Sequence, residues 1–200
     1  MKHIKKTFFF VLIFSVLFLG GCAFGTSGER DQAPGGDVQE EEAQNEASSE
    51  KEQSSSPKVV FEALDMEGNT VSSDILANSK LTMINVWATY CNPCLSEMPE
   101  LGELAGAYDP ADFQLIGIIS DVQEGGDEAQ IEYAASLIEE TGADYPHLLL
   151  NRSLYIGLLS GVSAMPTTFF LDENGTVLDT VIGAMDKSAW EEKIDALLQK

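Results

Sequence analysis

Leu81-Thr82-Met83-Ile84-Asn85-Val86-Trp87-Ala88 runs straight into Thr89-Tyr90-Cys91-Asn92-Pro93-Cys94 and then Leu95-Ser96-Glu97-Met98-Pro99-Glu100-Leu101. The first eight residues form a short, apolar, β-rich run, which reads as a buried strand. From Pro93 to Ala107 the apolar residues Leu95, Met98, Leu101, Leu104 and Ala105 recur at helical spacing. Pro99 falls inside that helix and is expected to kink it. The Cys-x-x-Cys therefore sits where a strand turns into a helix. Two cysteines three apart in a first helical turn can close a small disulfide with little backbone change. The helix start offers free N–H groups and partial positive charge, and both favour thiolate over thiol at Cys91. Pro93 costs nothing there, because first-turn N–H groups lack intrahelical partners anyway. Cys91 is then the exposed attacking thiolate and Cys94 the more buried resolving thiol. Half of a zinc site and a structural disulfide are the competing readings. There is no second Cys-x-x-Cys, and the only histidine besides His3 is His147. A disulfide across so small a loop adds little stability.

Strand and helix patterns alternate on both sides of this block. Val59–Leu64 and Thr70–Ser72 flank a turn signal at Met66-Glu67-Gly68-Asn69, so an N-terminal β-hairpin is expected. Gln114–Ser120 reads as a second buried strand. Asp127–Thr141 reads as an amphipathic helix with Ile131, Ala134, Ala135, Leu137 and Ile138 inside. His147–Leu150 is a short strand and Ser153–Ser160 a helix. Thr167–Leu171 and Thr176–Ile182 are strands joined by the tight turn Asn174-Gly175. Asp186 caps a last helix reaching Gln199, with Ala189, Trp190, Ile194, Leu197 and Leu198 on one face. The pattern describes an α/β layered fold, without internal repeats.

The N-terminal quarter is of another kind. Lys2, Lys5 and Lys6 precede the 13-residue apolar run Thr7–Leu19, shorter than the about 20 residues that span a bilayer. A basic segment, a short apolar segment and small residues make a secretory signal over residues 1–21, with a retained signal anchor as the alternative. Residues 22–57 hold mostly Gly, Ser, Gln and Glu, with nine acids and two bases. They cannot bury enough surface to offset ordering entropy and read as a disordered acidic tether with a reach of roughly 30 Å. Residues 58–200 are the folded domain, with 24 acids and six bases. The whole chain carries −22, and −25 without its first 21 residues. So acidic a chain is no nucleic-acid binder, which needs a basic face to neutralise phosphates. Three cysteines exclude a disulfide-rich scaffold, and no metal site or cofactor is called for by two histidines and the motifs present.

Two resemblances follow from these residues. Leu19-Gly20-Gly21-Cys22 resembles the bacterial lipobox, which implies a lipidated Cys22 and a membrane anchor. Two lipid chains hold much better than one. Cys22→Ser is expected to leave unprocessed precursor or to release protein to the medium. Unchanged mass and membrane retention would contradict a lipidated Cys22.

The block Ile84–Leu101 resembles the active-site segment of thioredoxin-superfamily proteins, more narrowly the membrane-anchored TlpA/ResA-type thiol–disulfide oxidoreductases. Ala164-Met165-Pro166-Thr167-Thr168-Phe169 resembles the second signature of that family, in which the proline is cis. The resemblance covers about Val59 to the C-terminus. It implies a thioredoxin-like fold: a central mixed sheet flanked by helices, with the N-terminal hairpin and a central insert within Gly117–Pro146. It implies reduction of disulfides in exported proteins, often in cytochrome c maturation, with recharging by a membrane electron carrier of the CcdA/DsbD type. Pro166 would lie opposite the cysteines, with Met165 pairing to an extended substrate. Trp87 and Tyr90 match aromatic positions flanking the site, Trp87 being equally open to a core role, and Pro93 lies between the cysteines. Glu97 matches an acid near the thiols that could tune them or relay a proton; the plain alternative is an exposed helix carboxylate. Ordinary thioredoxin has an Asp where Asn85 stands, which favours the TlpA/ResA type and leaves Glu97 or water to take the proton of the resolving thiol. The direction of electron flow stays open between reductase and oxidase. A copper(I)-handling lipoprotein is a further alternative, resting on Met98 and Met165 as soft ligands beside the thiols.

Overall fold

A computed structural model describes residues 58–199. The signal, the tether and Cys22 lie outside the described residues. In chain order the elements are β1 (Glu62–Leu64), β2 (Thr70–Ser72), β3 (Leu81–Trp87), α1 (Asn92–Ala105), β4 (Phe113–Gln123), α2 (Glu128–Thr141), β5 (His147–Leu150), α3 (Arg152–Gly157), β6 (Thr167–Asp172), β7 (Val177–Ile182) and α4 (Lys187–Leu198), with short 3₁₀ helices at Ser73–Asn78 and Leu159–Gly161. β1 and β2 form the N-terminal hairpin. The other strands form one sheet in the order β5-β4-β3-β6-β7. β3, β4 and β5 are parallel, β6 runs antiparallel to β3, and β7 runs antiparallel to β6. The fold is the mixed, helix-flanked thioredoxin-like sheet.

β3 explains the architecture. It is central, and all seven residues are buried, which is why it reads as continuous apolar sequence. Its period-2 alternation divides the core. Leu81, Met83 and Trp87 join Met98, Leu101 and Leu104 of α1, Ala134 and Leu137 of α2, and Trp190 and Ile194 of α4 on one face. Ile84 and Val86 join Phe61, Leu76 and Leu154 on the other. Asn85 shares the face of Met83 and Trp87, so it looks toward α1.

Several local expectations are corrected. Only Glu62–Leu64 of the first hairpin arm is strand, because Val59 N–H donates instead to Gly175 O at 2.8 Å. β4 continues to Gln123, three residues past the expected end. Ala135 is exposed, since the buried stripe of α2 is carried by Ala134 and Leu137. The expected helix Ser153–Ser160 is two pieces, broken where Leu158 leaves helical geometry at φ −143° and ψ −39°. Pro99 does lie inside α1, as expected, on its exposed side. No helix among the described residues is long and apolar enough to cross a membrane.

One close approach is sharp enough to test. A Cβ on Gly117 would lie 2.1 Å from His147 Nδ1, and that ring is held on both sides. Trp87 Nε1 donates to His147 Nδ1 at 3.1 Å, and Nε2 lies 3.0 Å from Ala143 O. Gly117→Ala is expected to destabilise the fold by about 1–3 kcal/mol through overpacking, read from the urea midpoint. An unchanged midpoint would mean the ring yields freely.

Candidate active site

β3 ends at Trp87, and the chain turns through Thr89 and Tyr90 into α1. Cys91 is the N-cap of that helix, and Cys94 N–H lies 3.3 Å from Cys91 Sγ. This first-turn N–H thus faces the sulfur that must carry negative charge in exchange. Cys91 and Cys94 form a disulfide, with Cα atoms 5.3 Å apart. Cys94 is fully buried and Cys91 is 7% exposed. The order of exposure is the expected one, but the openly exposed Cys91 is corrected: in the disulfide its sulfur is turned toward Cys94.

Pairing of β6 with β3 places the second signature beside the first. Val86 pairs with Thr167, so the residue before β6 reaches the end of β3. That residue is Pro166, buried, and the Met165–Pro166 bond is cis. Tyr90, Cys91, Asn92 and Pro93 form one side of a groove, and Val162, Ser163, Ala164 and Met165 the other. Tyr90 is 74% exposed and Met165 half-buried. The lining carries no charged side chain.

Trp87 is elsewhere. It is fully buried and its indole N–H is spent on His147, so it has no surface to offer a substrate, and the core reading replaces the substrate-contact reading. His147 is also withdrawn from metal chemistry, because both ring nitrogens are engaged in the core. Burial pushes its pKa down to about 4, against a weaker opposing pull from the Ala143 carbonyl.

Glu97 lies one turn beyond Cys94 on the sheet-facing side of α1 and is 3% exposed. The exposed-carboxylate reading is therefore wrong. Asn85 Nδ2 donates to its Oε1 at 3.0 Å, and Met185 N–H donates to its Oε2 at 3.2 Å. Asn85 Nδ2 also lies 3.1 Å from Thr168 Oγ1. Burial pushes the Glu97 pKa up to about 7; the donors Asn85 and Met185 and the nearby Trp190 indole N–H pull it back, and the Glu100 charge adds a small upward push. Glu97 also lines a cleft between α1 and the chain before α4, with Pro93, Ser96, Glu100 and Met185. Asn85, read as a departure from thioredoxin, is the residue that holds this acid in place.

Two polar side chains close to the site, Ser120 and Asp121, carried no motif in the sequence. Asp121 is bonded to Thr89, and Ser120 to Trp87 O and Met165 Sδ. The single cue is that Ser120-Asp121 ends an apolar run.

A Cys-x-x-Cys disulfide at a helix start, faced by a cis-proline loop on this sheet, defines a thioredoxin-like thiol–disulfide oxidoreductase. The chain belongs to the Redoxin family, whose model matches residues 51–198. It is 31% identical over 144 residues to the thiol:disulfide interchange protein DsbE of Escherichia coli K12, covering 72% of each chain. It is 29% identical over 140 residues to the thiol-disulfide oxidoreductase ResA of Bacillus thuringiensis, covering 70% of this chain and 73% of that one. Among solved structures, a thiol:disulfide interchange protein DsbE of Chlorobium tepidum, described as putative, aligns with TM-score 0.58 and 26% identity, over 72% of this chain and 99% of that one. Within the superfamily the chain is of the TlpA/ResA/DsbE type.

Proposed function

We propose that this oxidoreductase works as a reductase of disulfides in exported proteins, apocytochrome c among the candidates. It is held at the outer face of the bacterial cell membrane by a lipid on Cys22. The observation that carries the reading is the Cys91–Cys94 pair at the head of α1, open to an uncharged groove with a buried acid behind it. The reduced pair attacks through the Cys91 thiolate. A substrate disulfide breaks, Cys91 joins one substrate sulfur, and the other leaves as a thiolate that takes a proton. Cys94 then attacks Cys91 Sγ, freeing the second substrate thiol and closing the Cys91–Cys94 disulfide. Two electrons pass to the substrate. Glu97 accepts the Cys94 proton, for which a group of pKa about 7 is suited. Pro166 and Met165 shape the wall against which the substrate lies, and Tyr90 and Pro93 the opposite rim. A membrane electron carrier of the CcdA/DsbD type returns the electrons. The names of the DsbE and ResA relatives support the disulfide exchange, and the signal-like N-terminus supports the extracytoplasmic setting.

The reading is tested by trapping free thiols with an alkylating reagent in growing cells. A reductase is expected to be held mainly as the dithiol and to shift to the disulfide when the membrane carrier is deleted. A pair that is mainly disulfide in normal cells would mean that it donates disulfides instead.

A further inference from the structure

The register of β4 against β5 breaks at the level of the active site. Ile119 pairs with Leu149 and the next partner of Leu150 is Gln123, so Ser120, Asp121 and Val122 are extra on β4. Bulges of this kind re-aim side chains, and two of these three meet the site. Asp121 accepts from Thr89 N–H through Oδ1 at 3.0 Å and Oδ2 at 3.2 Å, and from Thr89 Oγ1 at 2.5 Å. This grips the turn that carries Tyr90 and Cys91. The Ser120 hydroxyl has one hydrogen and faces two acceptors, Trp87 O at 2.8 Å and Met165 Sδ at 3.0 Å. Trp87 ends β3, and Met165 is the groove residue before Pro166.

We propose that the β4 bulge is a clamp that sets the width of the substrate groove, with Asp121 and Ser120 as positioning residues for its two walls. Asp121 fixes the Tyr90–Cys91 wall through the backbone of Thr89. Ser120 ties the Met165 wall to the end of β3. Neither touches the reacting sulfurs. The inference deepens the proposed function, since it rests on the groove receiving a substrate segment. A longer or shorter β4 would leave both walls without their anchor.

A double-mutant cycle tests it. The full chain exchanges disulfides with a short synthetic peptide containing one disulfide, with dithiothreitol recycling the enzyme. Ser120→Ala is expected to raise KM for the peptide about tenfold with kcat within twofold. Ser120→Thr restores the wild-type KM, because it keeps the hydroxyl. Met165→Leu, which keeps bulk but loses the sulfur acceptor, raises KM by a similar factor, and the double variant is no worse than either single one. Asp121→Ala is expected to lower kcat/KM, and Asp121→Asn to restore most of it, because an amide oxygen still accepts from Thr89 N–H. Additive effects in the Ser120–Met165 cycle would overturn the clamp. So would a Ser120→Ala variant with unchanged KM, or an Asp121→Asn variant as poor as Asp121→Ala. Exchange is reversible, so if the pair proves oxidising, the dithiol form of the peptide is titrated against the preformed Cys91–Cys94 disulfide in single turnover, and the half-saturating peptide concentration replaces KM in the comparison. The reductase reading can therefore fail without the clamp failing.

Discussion

Cys91→Ser is expected to reduce disulfide exchange to background, whereas Cys94→Ser yields a protein that attacks once and stays joined to its substrate. The asymmetry comes from where the two sulfurs sit. Cys91 caps α1, receives the Cys94 N–H at 3.3 Å and borders the groove. Cys94 is fully buried and can reach only Cys91. Without Cys91 no thiolate faces a substrate. Without Cys94 the first attack proceeds, and nothing within the molecule releases the mixed disulfide. Non-reducing electrophoresis and intact mass read both results: no adduct for Cys91→Ser and a stoichiometric one for Cys94→Ser. An adduct formed through Cys94 in the Cys91→Ser chain would reverse the two roles.

Glu97→Gln is expected to become steadily more stable relative to the wild type as pH rises from 4.5 to 7, by about 3 kcal/mol in total. Its folded pKa is raised from 4.5 to about 7, with burial as the main cause. In that window the unfolded chain has released a proton that the folded one still holds, so ionisation weakens the fold as pH rises. His147 acts in the opposite sense. Its folded pKa of about 4, against 6.5 unfolded, makes the unfolded chain bind the proton first. Stability is then lost as pH falls from 6.5 towards 4, again by about 3 kcal/mol. The two slopes oppose each other between pH 4.5 and 6.5 in the wild type, and Glu97→Gln leaves the His147 slope uncovered. Urea midpoints of the oxidised form across pH 4.5 to 8 measure this. A difference between variant and wild type that is constant with pH would mean that Glu97 titrates as an ordinary carboxylate. In exchange assays the same variant is expected to flatten the inflection near pH 7 in the step that Cys94 carries out.

The strand-to-helix passage through Cys91 was legible because each part speaks locally. β3 is apolar on both faces, α1 has a clean 3.6-residue stripe, and Cys-x-x-Cys and Met-Pro-Thr are compact motifs. The hairpin at Asn174-Gly175 and the Asp186 cap were legible for the same reason. The long-range parts were not. Glu97 is drawn to the thiols only by the family resemblance, since a charged residue on a helix reads equally well as an exposed carboxylate. Only the pairing of β3 against α1 brings Asn85 onto it and buries it. Trp87 lies three residues from Tyr90, yet strand alternation sends it into the core against His147 while Tyr90 remains in water. Ala135 counts as apolar but falls just off the stripe set by Ala134 and Leu137. The β4 bulge left no periodic trace, since its extra residues interrupt the alternation by which strands are recognised. Ser120 and Asp121 acquire a role only through Met165 and Thr89, which are distant in sequence.

The reduction potential of the Cys91–Cys94 pair is the most direct test. The full chain is equilibrated in glutathione and dithiothreitol buffers, and the dithiol fraction is read by alkylation and mass. A reductase fed from the membrane is expected at about −230 mV or below, on the scale where thioredoxin lies at about −270 mV. A value at about −120 mV would contradict the account and make the protein a disulfide-forming oxidase.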